Sequence, residues 1–294
     1  MTTHQLQPLV GILGGSGLYA MDGLSEVSEH WVDTPFGRPS DAMRVGRLDG
    51  VAVAFLARHG RGHGLTPSQV PYRANIYAMK ALGVRYVISV SAVGSLREDI
   101  APLDMVLPDQ FIDLSHQRAA TFFDQGAVAH VSMADPVCLM LHGLLIEAHQ
   151  AAALPDARLH REGTYVCIEG PAFSTRAEAQ WFRSMGATIV GMTNMPEARL
   201  AREAELPYAS LTQVTNWSCW DRDQAFATAE QAVANLQANA RRAQSVLTQA
   251  VRLLGAQRPA SPAHTALSSA LVTKPAAMTP QAIERLGALV SRFF

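Results

Sequence analysis

Three short polar clusters each follow an apolar, β-branched run, and their residue types suit the binding of a small anion. Gly11-Ile-Leu-Gly-Gly-Ser-Gly17 comes at the end of the run Leu9 to Leu13, and its glycines let backbone N–H groups and the Ser16 hydroxyl approach an anion closely. The run Val51 to Ala57 ends in Arg58-His59-Gly60-Arg61-Gly62-His63, where Arg58 could fork two phosphate oxygens and His59 add a second donor. A third run, Tyr86 to Val90, leads into Ser91-Ala92-Val93-Gly94-Ser95. Taken singly, each cluster has another reading. The first could be a plain tight turn or a dinucleotide loop, although the G-x-G-x-x-G spacing is absent. The second could be a solvated basic loop or a metal site built on His59 and His63, although no further ligand arrives at the right spacing. Together they supply donors at three strand ends, an arrangement natural for a dianion such as phosphate.

Two further segments suit the other half of a substrate. Phe173 and Met192 offer flat and soft apolar surface for a base and a sugar, Thr193 adds an anion donor, and each could equally be a core residue. The run Tyr208 to Val214 ends in Thr215-Asn216-Trp217-Ser218, where the Asn216 amide can donate and accept at once toward a heterocycle, or simply close an Asx-turn. The chain has no G-x-S-x-G elbow and no Cys/His pair in a catalytic context, so phosphate itself would be the nucleophile. Splitting an N-glycosidic bond then requires an anion held below the anomeric carbon and a stabilised leaving base, with no metal or organic cofactor.

The elements that would position these clusters alternate. Apolar runs also occur at Met105 to Leu107, Thr164 to Ile168 and Thr188 to Gly191, and helical patterns at Tyr72 to Leu82, Pro136 to Ala152, Ser174 to Met185, Pro196 to Glu205 and Thr228 to Leu254. The last two helices open with acidic residues that suit a helix N-terminus. Runs apolar on both faces between helices predict an α/β single domain with a mixed, largely parallel central sheet flanked by helices. A Pro/Ala/Ser-rich stretch, Gln257 to Thr265, precedes an amphipathic piece from Pro280 to Phe294, so we expect a domain over residues 1–275 and a helical extension over 276–294.

The 294 residues carry 24 Lys and Arg against 25 Asp and Glu, which gives no basic field for nucleic acid or an anionic membrane. Three cysteines without a CxxC pair support neither a disulfide framework nor a zinc ribbon, and no signal-like or membrane-length apolar stretch is present, so a cytoplasmic location is expected.

From about Val10 to Leu271 the chain resembles the trimeric purine nucleoside phosphorylases and, within them, the methylthioadenosine phosphorylases. The resemblance rests on the blocks GILGGSGL, VDTPFGRPSD, LARHGRGH, PYRANIYAMKALG, SAVGSLRE, DQFIDLSHQR, TFFD, IEGPAFSTRAE and GMTNMPEARLARE and on Cys219-Trp220. It implies phosphate binding by Ser16, Arg58, His59, Ser91, Ala92 and Thr193, ribose binding by Met192, nucleoside contact by Phe173, and base binding by Asn216, Trp217 and Ser218. It also implies a homotrimer in which His130 reaches the 5′ end of a neighbour's nucleoside. His59 and Asn216 are the expected catalytic residues.

Adenine-specific members carry an Asp-x-Asp pair where this chain has Asn216-Trp217-Ser218, and an amide N–H suits the O6 acceptor of a 6-oxopurine. Ser174 matches the methylthioadenosine branch, whereas Ala229 stands where that branch prefers a bulkier valine. Ser174, Asn216, Ser218 and Ala229 are therefore the expected specificity positions. The leading expectation is phosphorolysis of inosine, guanosine or 5′-methylthioinosine to a free base and a sugar 1-phosphate. Methylthioadenosine is the alternative substrate. A nucleoside-binding sensor without turnover and an NAD-linked dehydrogenase are rivals of other classes.

Overall fold

The computed structural model describes residues 6–15, 18, 21, 23–220 and 229–294. Eleven strands form one mixed sheet among them: β1 Val10–Gly14, β2 Leu24–His30, β3 Met43–Leu48, β4 Val51–Ala57, β5 Tyr86–Ser95, β6 Met105–Val106, β7 Gln110–Asp113, β8 Leu159–His160, β9 Thr164–Cys167, β10 Ile189–Gly191 and β11 Tyr208–Trp217. The helices are α1 Tyr72–Ala81, α2 Leu139–Ala151, α3 Arg176–Ser184, α4 Asn194–Glu203, α5 Ala229–Gln257 and α6 Pro280–Leu286.

The sheet runs β2-β3-β4-β1-β5-β10-β9-β7, and a second path leaves β5 through β11 to β6 and β8. Six of its strand pairings are parallel and four antiparallel, so the expected α/β fold with a largely parallel sheet is what the chain adopts. The central strands read as near-continuous apolar runs because both faces are covered. On one face, Leu141, Leu144, Leu145 and Ala148 of α2 and Val246, Leu247, Val251 and Leu254 of α5 pack on Val10, Ile12, Val53 and Ile88. On the other, α1 and α4 pack on Leu13, Leu56 and Val87.

The antiparallel strands β2 and β3 were not legible beforehand. β2 reads LSEVSEH and is exposed over most of its length, so it lacks the apolar signature of its neighbours. It is held instead by edge pairing to β3.

The chain end is built into the core. Met278, Leu286, Leu289 and Val290 belong to the same apolar cluster as α1 and α4, and Arg292 makes a two-bond ion pair with Glu205 at 2.7 and 2.5 Å. The amphipathic piece expected at 280–294 thus finds its surface on α1, where the Tyr77 hydroxyl accepts from the Ala288 N–H at 3.3 Å.

Candidate active site

The first three clusters meet where β1 stops. Parallel pairing aligns Gly14 of β1 with Ala57 of β4 and with Val90 of β5, so the residues that follow emerge side by side from one sheet edge. Gly15 N–H donates to the Val90 carbonyl at 3.3 Å and Arg58 N–H to the Gly14 carbonyl at 3.0 Å, which ties the three turns together. β5 runs on past this point to Ser95. Because Val90 directs its carbonyl toward β1, strand alternation directs the N–H of Ala92 to the same side, where β1 has ended. Ser16 lies outside the described residues.

The Arg58 fork has a different partner from the one expected. Its guanidinium is 1% exposed and grips Glu197 with Nε at 2.7 Å and Nη2 at 3.2 Å. Nη2 also meets Ser89 Oγ at 2.6 Å and the Leu13 carbonyl at 3.2 Å, and Nη1 donates to the Val90 carbonyl at 3.0 Å. The bidentate face is therefore spent inside the protein, and one Nη1 N–H remains, 3.7 Å from where a side chain on Gly15 would begin. Burial opposes the Arg58 charge, but Glu197 more than offsets it and the pKa is raised.

His59 likewise differs from a simple donor. Its Nδ1 lies 2.9 Å from the Leu65 carbonyl, which fixes the proton on Nδ1 and leaves Nε2 as an acceptor. Burial, then the neighbouring Arg58 charge, lower its pKa to about 4 despite the Leu65 bond, so the ring is neutral near pH 7. The His63 ring stacks on it at 4.3 Å, and among the described residues no three potential metal ligands cluster.

Thr193 and Asn194 bring the start of α4 to the same rim. Ser91 Oγ bonds Asn194 Oδ1 at 3.1 Å, and the Thr193 N–H donates to the buried Tyr165 hydroxyl at 3.2 Å. Gly191 is required beside them, since a Cβ there would lie 2.1 Å from that hydroxyl. Met192 is half-buried behind the loop after β9, where the sulfur would meet a Cβ on Gly170 at 2.6 Å.

The far end of β5 faces the Asn216 segment. β11 pairs Val214 with Val93 and Asn216 with Gly94, so Thr215 is an extra residue, a β-bulge that re-aims Asn216. The Asn216 amide donates to the Trp217 carbonyl at 2.9 Å and accepts from the Thr215 hydroxyl at 2.8 Å. Those two bonds fix its orientation and leave one N–H and one lone pair for a ligand. Asn216 Nδ2 and the Ser218 Cβ both stand over Gly94, at 3.3 and 3.6 Å from where its Cβ would be. Cys219 donates from Sγ to the Ser174 carbonyl at 3.0 Å, bringing Ser174 to the same end, and Phe173 beside it is 53% exposed. Trp217 is half-buried.

One expected position is not joined to this rim: His130 is exposed and anchored through its N–H to the Ala270 carbonyl at 2.8 Å. The Ala229 side chain lies outside the described residues. Sequence reading missed Glu197, Ser89 and Tyr208, the partners that hold Arg58; the Tyr208 hydroxyl donates to Glu197 at 2.8 Å. The acidic start of α4 was the available signal, and it was read only as a complement to the helix dipole.

The chain matches the phosphorylase superfamily over residues 9–252. It is 52% identical to the S-methyl-5′-thioadenosine phosphorylase of Thermosynechococcus vestitus, over 97% of this chain and 98% of that protein. The similarity therefore runs beyond Leu271 into the C-terminal segment. A methylthioadenosine phosphorylase from an Antarctic soil metagenomic library superposes with a TM-score of 0.93 at 55% identity, covering 97% of this chain and 99% of the other. The Schistosoma mansoni methylthioadenosine phosphorylase in complex with adenine superposes with a TM-score of 0.82 at 37% identity, covering 85% of this chain and 93% of the other. This chain belongs to the phosphorylase superfamily, on the branch of these relatives, and is a pentosyltransferase.

Proposed function

We propose that the enzyme phosphorolyses S-methyl-5′-thioadenosine, releasing adenine and 5-methylthioribose 1-phosphate. This was the alternative reading of the sequence, and the names of relatives 52% identical over almost the whole chain favour it over the 6-oxopurine reading. The observation that reconciles it with the site is the fixed Asn216 amide. Its free N–H can donate to N7, an acceptor in every purine, and so stabilise charge on the departing base whatever stands at C6. The Ser218 hydroxyl can accept from an amino group or donate to an oxo group.

Phosphate is held by the Ala92 N–H, Thr193, the remaining Nη1 N–H of Arg58 and the Ser91 hydroxyl, which turns to it from Asn194 Oδ1, and the resemblance adds Ser16 to the set. His59 Nε2 accepts a hydrogen bond from hydrogen phosphate and orients it, the ring itself staying neutral. Met192 and Phe173 hold the sugar and base, and His130 approaches from a neighbouring subunit of a trimer. The phosphate oxygen bonds C1′ as the C1′–N9 bond breaks, and the electron pair leaves with the base. Active-site geometry acts by alignment, since the reacting groups belong to the two substrates.

A second reading, turnover of 6-oxopurine nucleosides, is carried by the same Asn216 N–H, which suits O6. Base release from methylthioadenosine, adenosine, methylthioinosine and inosine, with and without phosphate, decides between them. We expect methylthioadenosine to give the highest kcat/KM and Asn216→Asp, which loses the N7 donor, to lower kcat/KM at least tenfold for all four nucleosides. Preference for inosine or methylthioinosine would overturn the first reading. An unchanged kcat/KM in Asn216→Asp would remove Asn216 from the base site.

A further inference from the structure

We infer that Arg118 is a positioning residue for the nucleoside, which fixes the wall of its site through main-chain carbonyls on two separate segments. The inference rests on the placing of Met192 and Phe173 against the nucleoside proposed above.

Arg118 follows β7 in a loop, yet its side chain is 2% exposed. All five of its N–H groups have acceptors, a complete satisfaction that needs the planar guanidinium fork. Nη1 donates to the carbonyls of Met192 at 2.6 Å and Met195 at 2.7 Å. Nη2 donates to the carbonyls of Ile168 at 3.2 Å and Glu169 at 2.8 Å. Nε points to Ser68 Oγ at 3.3 Å, with Glu169 Oε1 at 3.4 Å. One side chain thereby staples the segment that leads into α4, which carries Met192 and Thr193, to the loop after β9, which leads to Phe173 and Ser174.

The counter-ion locks the same junction. Burial works against the Glu169 carboxylate, but the Ser68 hydroxyl, the N–H groups of His116 and Gln117, and Arg118 outweigh it and hold its pKa down to about 2. It accepts from the His116 N–H at 2.7 Å and the Gln117 N–H at 3.2 Å, so the loop that delivers Arg118 is itself fixed to the loop that Arg118 grips. Strand pairing ends at Gly191 and Cys167, and beyond it the segments are joined by the Ile168 N–H to the Gly191 carbonyl at 2.9 Å and by Cys167 Sγ to the Met195 carbonyl at 3.4 Å, to which Arg118 adds its four carbonyl bonds. Of these links only Arg118 reaches the carbonyls of Met192 and Glu169 together, so it fixes how far the Met192 segment stands from the loop that leads to Phe173. An ammonium has three donors on one atom and cannot serve the four carbonyls that the two Nη atoms of the guanidinium reach.

The test is Arg118→Lys, which keeps the buried charge, with Arg118→Ala as the second variant. Both KM values and kcat are measured with whichever nucleoside of the panel above the wild-type enzyme turns over, so an error in the substrate assignment does not affect the outcome. The expected result for Arg118→Lys is a nucleoside KM raised at least tenfold, with phosphate KM and kcat each within threefold of wild type. In Arg118→Ala, added guanidinium chloride at tens of millimolar lowers the nucleoside KM, whereas sodium chloride at equal ionic strength does not. Unchanged nucleoside KM in Arg118→Lys, or equal rises in both KM values alongside a lowered thermal midpoint, would overturn the inference and leave Arg118 a residue of stability alone. If Arg118→Ala does not fold, the Arg118→Lys split decides.

Discussion

Replacing Glu197 with glutamine removes a negative charge that the buried Arg58 guanidinium depends on. The two side chains are 1% and 2% exposed, and the remaining contacts of Arg58 among the described residues are two carbonyls and a hydroxyl. Glutamine keeps the shape but turns one acceptor oxygen into an NH₂ that faces either the guanidinium or the Tyr208 hydroxyl. Removing one member of a buried pair costs about 3–5 kcal/mol, because the other charge stays behind without compensation. For a protein of this size that corresponds to a fall in thermal midpoint on the order of 10 °C. The double variant Arg58→Met with Glu197→Leu removes both charges, and we expect it to recover most of the stability but to show a raised phosphate KM, since the Nη1 donor is lost. The assay is thermal unfolding at one protein concentration, with phosphate KM measured on the folded fraction. A Glu197→Gln enzyme within about 1 kcal/mol of wild type, or a double variant no more stable than the single one, would refute the account of Arg58 as an internally committed cation.

Two other outcomes follow from the same structure. His59 has a pKa near 4 when folded against an ordinary 6.5, so between those values the unfolded chain binds a proton that the native one does not, and stability rises with pH. We expect His59→Gln to flatten the stability profile in that window by up to about 1.4 kcal/mol per pH unit, and identical slopes for variant and wild type would contradict the neutral ring. In the C-terminal segment, Leu286 is fully buried against the α1 face, so Leu286→Ala is expected to cost about 2–5 kcal/mol in unfolding experiments and leave kcat within twofold. An unchanged thermal midpoint would show that this segment is not part of the core.

How much of this was legible in the sequence depended on how local the cause was. The apolar runs at β1, β4, β5 and β11 name themselves because both of their faces are covered, and the glycines and hydroxyl residues after them mark the strand ends. The edge strand β2 is open to solvent over most of its length and β7 has only four residues, so neither carries such a pattern. Among the candidate residues, Ser91 and Asn216 stood out in the sequence because a polar residue at a strand end is conspicuous. The direction of the Arg58 fork was not readable, because its partner Glu197 stands 139 residues away on another element. The proton on His59 depends on the Leu65 carbonyl, six residues on across a turn, and a sequence gives the imidazole but not its tautomer. Arg118 was passed over for the same reason, as every one of its acceptors lies at least 46 residues away.

The length of β5 gives the site its ruler. In the proposed arrangement Ser91 and Ala92 take the phosphate and Asn216, standing over Gly94, takes the base, so successive residues of one extended strand span, at about 3.3 Å each, the gap that a pentose must bridge between nucleophile and leaving group. Backbone repeat, not side-chain choice, sets that gap. Substitutions at either end can therefore alter which anion or which base is read while the separation of the two stays constant, and an enzyme whose base end departs from its relatives can keep their chemistry. A single residue inserted between Ser91 and Gly94 would do the opposite, leaving every contact type in place and putting the two substrates out of step.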